Sequence, residues 1–373
     1  MQGFNMDIKF NKGDKIVVKV GSSILNSDAN ALDMKRLEMI VSGVSKLKNM
    51  GYEVVIVSSG AIACGMERLG MTNRPISVFA LASTAAVGQS VLMSDYEQLF
   101  KKYNFLTAQI LLTSDGLENR TRYLNARNTI QHLLQMGNII PIVNENDAVV
   151  TDEIKFGDND KLSAQVAALI DARLLIILSD VDGLYDGNGN VMERIENIDS
   201  CISSLAGDTK KKTTVGGMIT KIEAAKIAVN AGIPMVIANG LNKDVLEQVV
   251  TGETVCSWFL PKKDKISGKK RWIAFSCKNC GKIIVDDGAK QALQDKGKSL
   301  LAIGITAVEG IFSFGDLVII SDIHHNEIAR GLVNYSSEEV DKIKQTKTDD
   351  IEKILGCKSY DEVVHRDNLV ILI

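Results

Sequence analysis

Histidine is scarce in this chain, with four in 373 residues. Two of them, His324 and His325, sit together in SDIHHNE, which reads as a turn. A nucleophile relay built on histidine is therefore disfavoured. Cysteine is sparse as well. Cys64, Cys201, Cys256 and Cys357 are scattered, and Cys277 and Cys280 form a single C-x-x-C, CKNC. A zinc ribbon needs a second such pair, and a disulfide framework is not expected in a chain this long, so the pair is expected to be two reduced thiols in a loop. No apolar run reaches the roughly 18 residues of a membrane span. The opening stretch MQGFNMDIKFNKGDK has no apolar signal-peptide core. With a formal net charge of -3, no basic field points to nucleic acid or an anionic membrane. The expectation is a cytoplasmic protein with no membrane association. G-x-x-x-x-G-K-[ST] is absent, and GNGNVM from Gly187 fails G-x-G-x-x-G at its last position, so a P-loop ATPase or a dinucleotide fold is disfavoured.

What is present is regular. The length allows two domains, and 45% hydrophobic with 24% charged residues is ordinary for a globular chain. Short Val/Ile/Leu runs alternate with helical patterns: KIVVKV, YEVVIV, TAQILLT, NIIPIV, RLLIIL and IPMVI, separated by helices expected near 34–50, 80–100, 124–135, 161–171 and 218–231. This predicts an α/β fold with a mainly parallel sheet sandwiched by helices. In such sheets ligands bind beyond the carboxyl ends of the strands. Polar, glycine-rich loops follow five of the runs: GSS, SSG, NEND, SDVDG and ANG. A constructed cleft explains five such loops better than chance turn chemistry does. Past residue 257 the pattern changes. PKKDKISGKKR carries six basic residues and one acid, and residues 258–280 read as a solvated basic linker. Residues 281–373 read as a small β-rich domain, with a helical piece at 337–355 and a short tail.

Phosphate binding needs only backbone N–H groups, a helix N-terminus and a cation. VKVGSS places Lys19 beside a glycine turn, and TTVGGMITKIEAAK places Gly216 and Gly217 before a helix carrying Lys221. The bland alternative makes Lys19 an edge-strand lysine and Lys221 a solvent-facing one. GDNDKLSA puts Asp158, Asn159, Asp160 and Lys161 at a helix mouth. Capping uses one of these side chains. Asp160 would then remain to hold two lysines. NEND adds Asn144, Glu145, Asn146 and Asp147, groups able to hold an amino acid.

Taken in order, VVKVGSS, VSSGAIACG, AAVGQS, RYLNARNT, PIVNENDAV, IKFGDNDKLSAQVA, SDVDGLYD and VGGMITKIEAA resemble the glutamate 5-kinase family, in the amino-acid kinase superfamily. The segments after residue 280 resemble a PUA domain. The resemblance implies the amino-acid kinase fold over 1–257 and transfer of phosphate from ATP, with Mg²⁺, to the side-chain carboxylate of L-glutamate, the first step towards proline. It implies that Lys19 and Lys221 contact the phosphates while Asp160 organises them. Ser59, Asp147 and Asn159 would bind glutamate. Ser179, Asp180 and the run Val215, Gly216, Gly217, Met218, Ile219, Thr220 and Lys221 would bind ATP. Feedback inhibition by proline near RYLNARNT and a homo-oligomer, dimer or tetramer, are also implied. Three departures stand out: Ser179 where the family pattern has Thr, Thr214-Val215 where it has Gly-Thr, and CKNC, which the family pattern lacks. The competing readings are a kinase for aspartate, N-acetylglutamate or uridylate, or an RNA-binding regulator acting through the PUA-like domain. Asp286-Asp287 and the lack of an arginine stripe argue against RNA.

Overall fold

Strands β1 (Lys15–Val20), β2 (Glu53–Ser58), β4 (Ile139–Glu145) and β5 (Leu174–Ser179) are buried along nearly their whole length. That is why they read as continuous aliphatic runs rather than alternating ones. The structure, a computed structural model, describes residues 8–26, 32–149, 159–199, 202, 205, 217–261, 273, 281–295 and 297–372. It divides into two compact units, Met1–Lys265 and Ile266–Ile373.

The first unit holds an eight-stranded sheet in the order β3-β4-β2-β1-β5-β7-β8-β6, completed by β3 (Leu106–Leu112), β6 (Arg194–Ile195), β7 (Met235–Asn239) and β8 (Ser257–Phe259). Every pairing is parallel except β7 with β8. β3 lies at the edge and is only half-buried, which accommodates Thr107 and Gln109. β6 and β8 are too short to register as periodic runs. Trp258 and Phe259, expected in the linker, belong to this sheet. Most of that linker, with Cys277 and Cys280, lies outside the described residues.

The helices of this unit among the described residues include α1 (Ser22–Leu25), α2 (Met34–Asn49), α3 (Ala61–Arg68), α4 (Val78–Lys101), α5 (Arg120–Gln135), α6 (Asn159–Leu169), α7 (Met218–Asn230) and α8 (Val245–Thr251). Asp33 starts α2 by accepting from the Lys35 and Arg36 amides. Leu37, Ile40, Val41, Val44 and Leu47 of α2 then pack with Ile16, Val18 and Val20 of β1 in one core. Each such aliphatic side chain contributes about 1.5–3 kcal/mol on burial. α4 adds Leu92, Tyr96 and Phe100 to that core. By length and composition α4 could also cross a membrane, which the expectation of no such run did not anticipate. Here α4 crosses α3 at contact distance. A Cβ on Gly88 would sit 1.8 Å from the Ala61 carbonyl, and one on Gly65 1.9 Å from that of Thr84.

In the second unit, β9 (Gly281–Val285), β10 (Ile305–Gly310), β11 (Leu317–Ser321), β12 (Glu327–Val333) and β13 (Val364–Ile371) form a sheet ordered β10-β9-β11-β12-β13, antiparallel except for β9 with β11. Beside it lie α9 (Asp287–Gln294), α10 (Ser337–Ile343) and α11 (Ile351–Leu355). A capping box of Ser336 and Glu339 opens α10. The closing residues, expected as a tail, are the strand β13. Its Val364 and Leu369 join the core of this unit.

Candidate active site

At the carboxyl edge of the first sheet, β2 lies on one side of β1 and β5 on the other. The chain reverses its direction of spread there, and such a switch point opens a crevice. Lys19 is the penultimate residue of β1, in register with Val57 and Ile177 on its two neighbours. It is buried on a central strand, so the edge-strand reading fails. Gly21 keeps room for it: a Cβ there would lie 3.3 Å from the Lys19 ammonium.

Asp160 stands in the first turn of α6, 1% exposed. Its Oδ1 is 2.6 Å from Lys19 Nζ, and its Oδ2 is 3.7 Å from Lys221 Nζ. The Thr220 hydroxyl donates to Oδ2 at 2.7 Å. Lys221, in the first turns of α7, is 7% exposed and not a solvent-facing lysine. Burial pushes the Asp160 carboxyl upward, but the charges of Lys19 and Lys221 and the bonds from Lys19 and Thr220 outweigh it and hold it below the usual carboxylate range. For Lys221, burial lowers the pKa, Lys19 adds to that, and Asp160 and Asp180 oppose it. Two ammonium groups meet at one carboxylate in a nearly dry setting, at the edge where the strands end. Gly217, the N-cap of α7, brings no side-chain cap, so the first-turn amides are left for another acceptor.

A second constellation adjoins the first. Asn159, also in the first turn of α6, does not cap the helix. Its Nδ2 lies 2.9 Å from the Ser58 carbonyl, 3.1 Å from Ser59 Oγ and 3.0 Å from Asn144 Oδ1. An amide NH₂ can serve two acceptors at once. Asn159 Oδ1 is buried and accepts no hydrogen bond among the described residues. Asn144, near the end of β4, donates to Gln89 Oε1 at 2.7 Å, and Ser58 is tied to the buried Tyr96 hydroxyl at 2.9 Å. A cavity of about 270 Å³ opens between α4 and the loop after β4, lined by Gln89, Ser90, Gln109, Glu145, Asn146 and Asp147 among others. Asp147 is half-buried there. Burial raises its carboxyl to about 6, and the Arg74 charge only partly offsets this.

The structure thus brings Lys19, Asp160, Lys221 and Thr220 into one cluster, and Asn159 and Ser59 into another. Asp147 lies apart, on the cavity wall. Ser179 is buried at the end of β5 and its hydroxyl donates to Asp180 Oδ1 at 3.3 Å, while Asp180 itself is exposed. Met218 and Ile219 form the first turn of α7. Val215 and Gly216, like Asp158, lie outside the described residues. Sequence reasoning assigned no role to Gln89 or to the bond from Thr220 to Asp160. The glutamine directly after Gly88 in AAVGQS was the one available signal for the former.

Residues 14–239 match the model of the amino acid kinase family, and residues 281–355 match the PUA domain. The glutamate 5-kinase of Thermoanaerobacter sp. (strain X514) is 48% identical over 96% of this chain and 98% of its own. That of Caldanaerobacter subterraneus subsp. tengcongensis is 49% identical over 96% and 98%, and that of Marinomonas sp. (strain MWYL1) is 45% identical over 98% and 99%. The chain belongs to the amino acid kinase family, among its glutamate 5-kinases. Its fold also resembles carbamate kinase from Giardia lamblia bound to AMP-PNP, at 18% identity over 67% of this chain and 99% of that one with a TM-score of 0.48, a likeness too distant to bear on chemistry.

As in any amino acid kinase, the site must accept a triphosphate. The Gly21 opening, the two ammonium groups and the uncapped start of α7 fit that group. A metal is different. Among the described residues no cluster of three or more His, Cys, Asp or Glu could hold one, and Asp160 is already engaged by two lysines and a threonine.

Proposed function

We propose that the chain transfers the terminal phosphoryl group of ATP to the side-chain carboxylate of L-glutamate, giving ADP and L-glutamyl 5-phosphate. The observation that carries this reading is Asp160 held between Lys19 and Lys221 at the carboxyl end of β1. An oxygen of the glutamate γ-carboxylate attacks the γ-phosphorus, the bond to the bridging oxygen breaks, and its electron pair leaves on ADP. The attacking group is already ionised at neutral pH, so no general base is required. What remains is alignment and neutralisation of the charge on the transferring group. Lys19 and Lys221 supply the second, and Asp160 fixes where they stand. Backbone amides at the start of α7 hold the phosphates, while Ser179 and Asp180 border the nucleotide.

Glutamate would sit along the cavity after β4. The ionised Asp147 and the open Asn159 Oδ1 would take its ammonium group, and the Ser59 hydroxyl would complete its hydrogen bonds. Mg²⁺ would enter with the phosphates and keep most of its water, since it binds readily without a dedicated protein cage. When bound, it would supply charge neutralisation to the phosphates. Proline would inhibit by competing at the glutamate position, and the enzyme would act as a homo-oligomer.

The test is ADP release with glutamate, aspartate, N-acetylglutamate and uridylate as acceptors, with hydroxylamine present to trap an acyl phosphate. Glutamate alone should give a hydroxamate. Activity with another acceptor and none with glutamate would overturn the substrate assignment. Inhibition by proline that glutamate fails to relieve would overturn the competitive reading.

A further inference from the structure

The geometry points to Gln89 as the residue that takes the α-carboxylate of the amino-acid substrate and so decides which of its two carboxylates is phosphorylated. The inference rests on the glutamate reading above and deepens it. Glutamate carries a carboxylate at each end, and one of them must be kept from the phosphate. The hydrogen bonds behind the cavity set a donor on its wall that can do this.

The bonds start from two backbone groups of fixed polarity. The Ser58 carbonyl can only accept, so the end of Asn159 that meets it at 2.9 Å is the NH₂. The Glu145 backbone N–H can only donate, so the end of Asn144 that it meets at 2.8 Å is the oxygen. That oxygen also accepts from Asn159 at 3.0 Å, and the two assignments agree. The Asn144 NH₂ is therefore the end that meets Gln89, and Gln89 answers with its oxygen at 2.7 Å. Its own NH₂ is left for the cavity that Gln89 lines from α4. Residues of β2, β4 and α6 thus orient a side chain on α4. Its neighbours on the wall are not held in this way. The Ser90 hydroxyl gives its hydrogen to the Val87 carbonyl at 3.0 Å. The side chains of Gln109 and Asn146 make no hydrogen bond among the described residues, so either end of each can turn inward.

Asp147, on the loop after β4, brings the opposite sign to the same cavity. An amino acid then fits one way round. Its ammonium lies toward Asp147 and Asn159 Oδ1, its α-carboxylate on the Gln89 NH₂, and its side-chain carboxylate runs on to Lys19 and Lys221.

The test is Gln89→Glu, assayed by ADP release with L-glutamate and with L-glutamate α-amide at one mildly alkaline pH, where the new carboxyl is ionised. One oxygen of the new side chain still accepts from Asn144, and the other puts a negative charge where the donor was. kcat/KM for L-glutamate should fall on the order of 10²-fold, mainly through KM, the scale of a charge-assisted hydrogen bond replaced by facing like charges. For the α-amide, whose NH₂ can donate to the new carboxylate, it should hold or rise. The wild-type preference for glutamate over its amide, expected on the order of tenfold, should thus reverse. Where turnover of the amide is too slow to follow, its inhibition constant against glutamate gives the same ratio. Should that variant not fold, Gln89→Met removes donor and acceptor together and should shrink the preference toward unity. A merely structural role would lower kcat/KM for both substrates by the same factor, so an unchanged ratio overturns the inference. Equal use of the two substrates by the wild type overturns it as well. Failure of the underlying reading is distinguishable: the wild-type protein would then release no ADP with glutamate.

Discussion

Each of the two units buries an aspartate beside a lysine, and the two acids gather their partners in opposite ways. In the second unit, Asp322 is 2% exposed and pairs with Lys290 at 2.8 Å. Its other bonds come from the His324 and Asn326 amides and the Asn326 side chain, two and four residues away. Every oxygen is satisfied by a turn that the acid itself organises. Asp160 draws its partners from positions 19, 220 and 221, brought together from three elements. Burial is thus no marker of function. What sets Asp160 apart is that its partners come from distant parts of the chain.

The sharpest way to break this contrast is Asp160→Ala. Leaving Lys19 and Lys221 buried without their counter-charge should cost about 3–5 kcal/mol, read from urea unfolding, and kcat should fall on the order of 10²-fold or more. Next, Lys221→Ala should lower kcat by on the order of 10²-fold with little change in unfolding, because its burial already opposes its charge. Retained activity in either variant would remove the cluster from the chemistry.

A smaller effect belongs to Asp147. Its carboxyl, raised to about 6, is ionised at neutral pH and protonates as the pH falls through that value. KM for glutamate should therefore rise at acid pH while kcat holds. Asp147→Asn should raise KM about tenfold at neutral pH, the scale of a hydrogen bond to a charged group, and flatten that dependence. A KM unchanged by the substitution would take Asp147 out of the glutamate site. The smallest effect should come from Asp322→Asn, which should lower the melting temperature of the second unit and leave kcat where it was. An activity loss comparable to that of Asp160→Ala would erase the distinction.

Much of this was legible in the residues. Parallel strands buried on both faces are written as unbroken Val, Ile and Leu, and the loops after them as glycine, hydroxyl and acid. The fold and the edge that carries the site could both be read. The glycines beside Lys19 and Lys221 made each a candidate, but either alone read more readily as a structural lysine, and only the run of motifs joined them. What could not be read was pairing across distance. Asn159 reaches Ser58 and Ser59 across about a hundred positions, so position alone left it open between a cap and a ligand, and only the resemblance assigned it to the site. Gln89 sits in mid-helix, where a polar residue ordinarily means solvent. The strands β6 and β8 carry too few residues for a period to show, and the polar middle of β13, HRDN, looks like a tail until β12 is seen beside it.

The crossing of α3 and α4 acts as a gauge. Because Gly65 and Gly88 offer no methyl group, the helices touch backbone to backbone, and that separation sets how far Gln89, the next residue, extends toward Asn144. Asn144 in turn steadies Asn159. One added carbon at Gly88 would wedge the pair apart, and the amide relay would come loose at its first link. Gly88→Ala should thus show as weakened glutamate affinity as well as a lower melting temperature, a recognition defect arising from a residue that never meets the substrate.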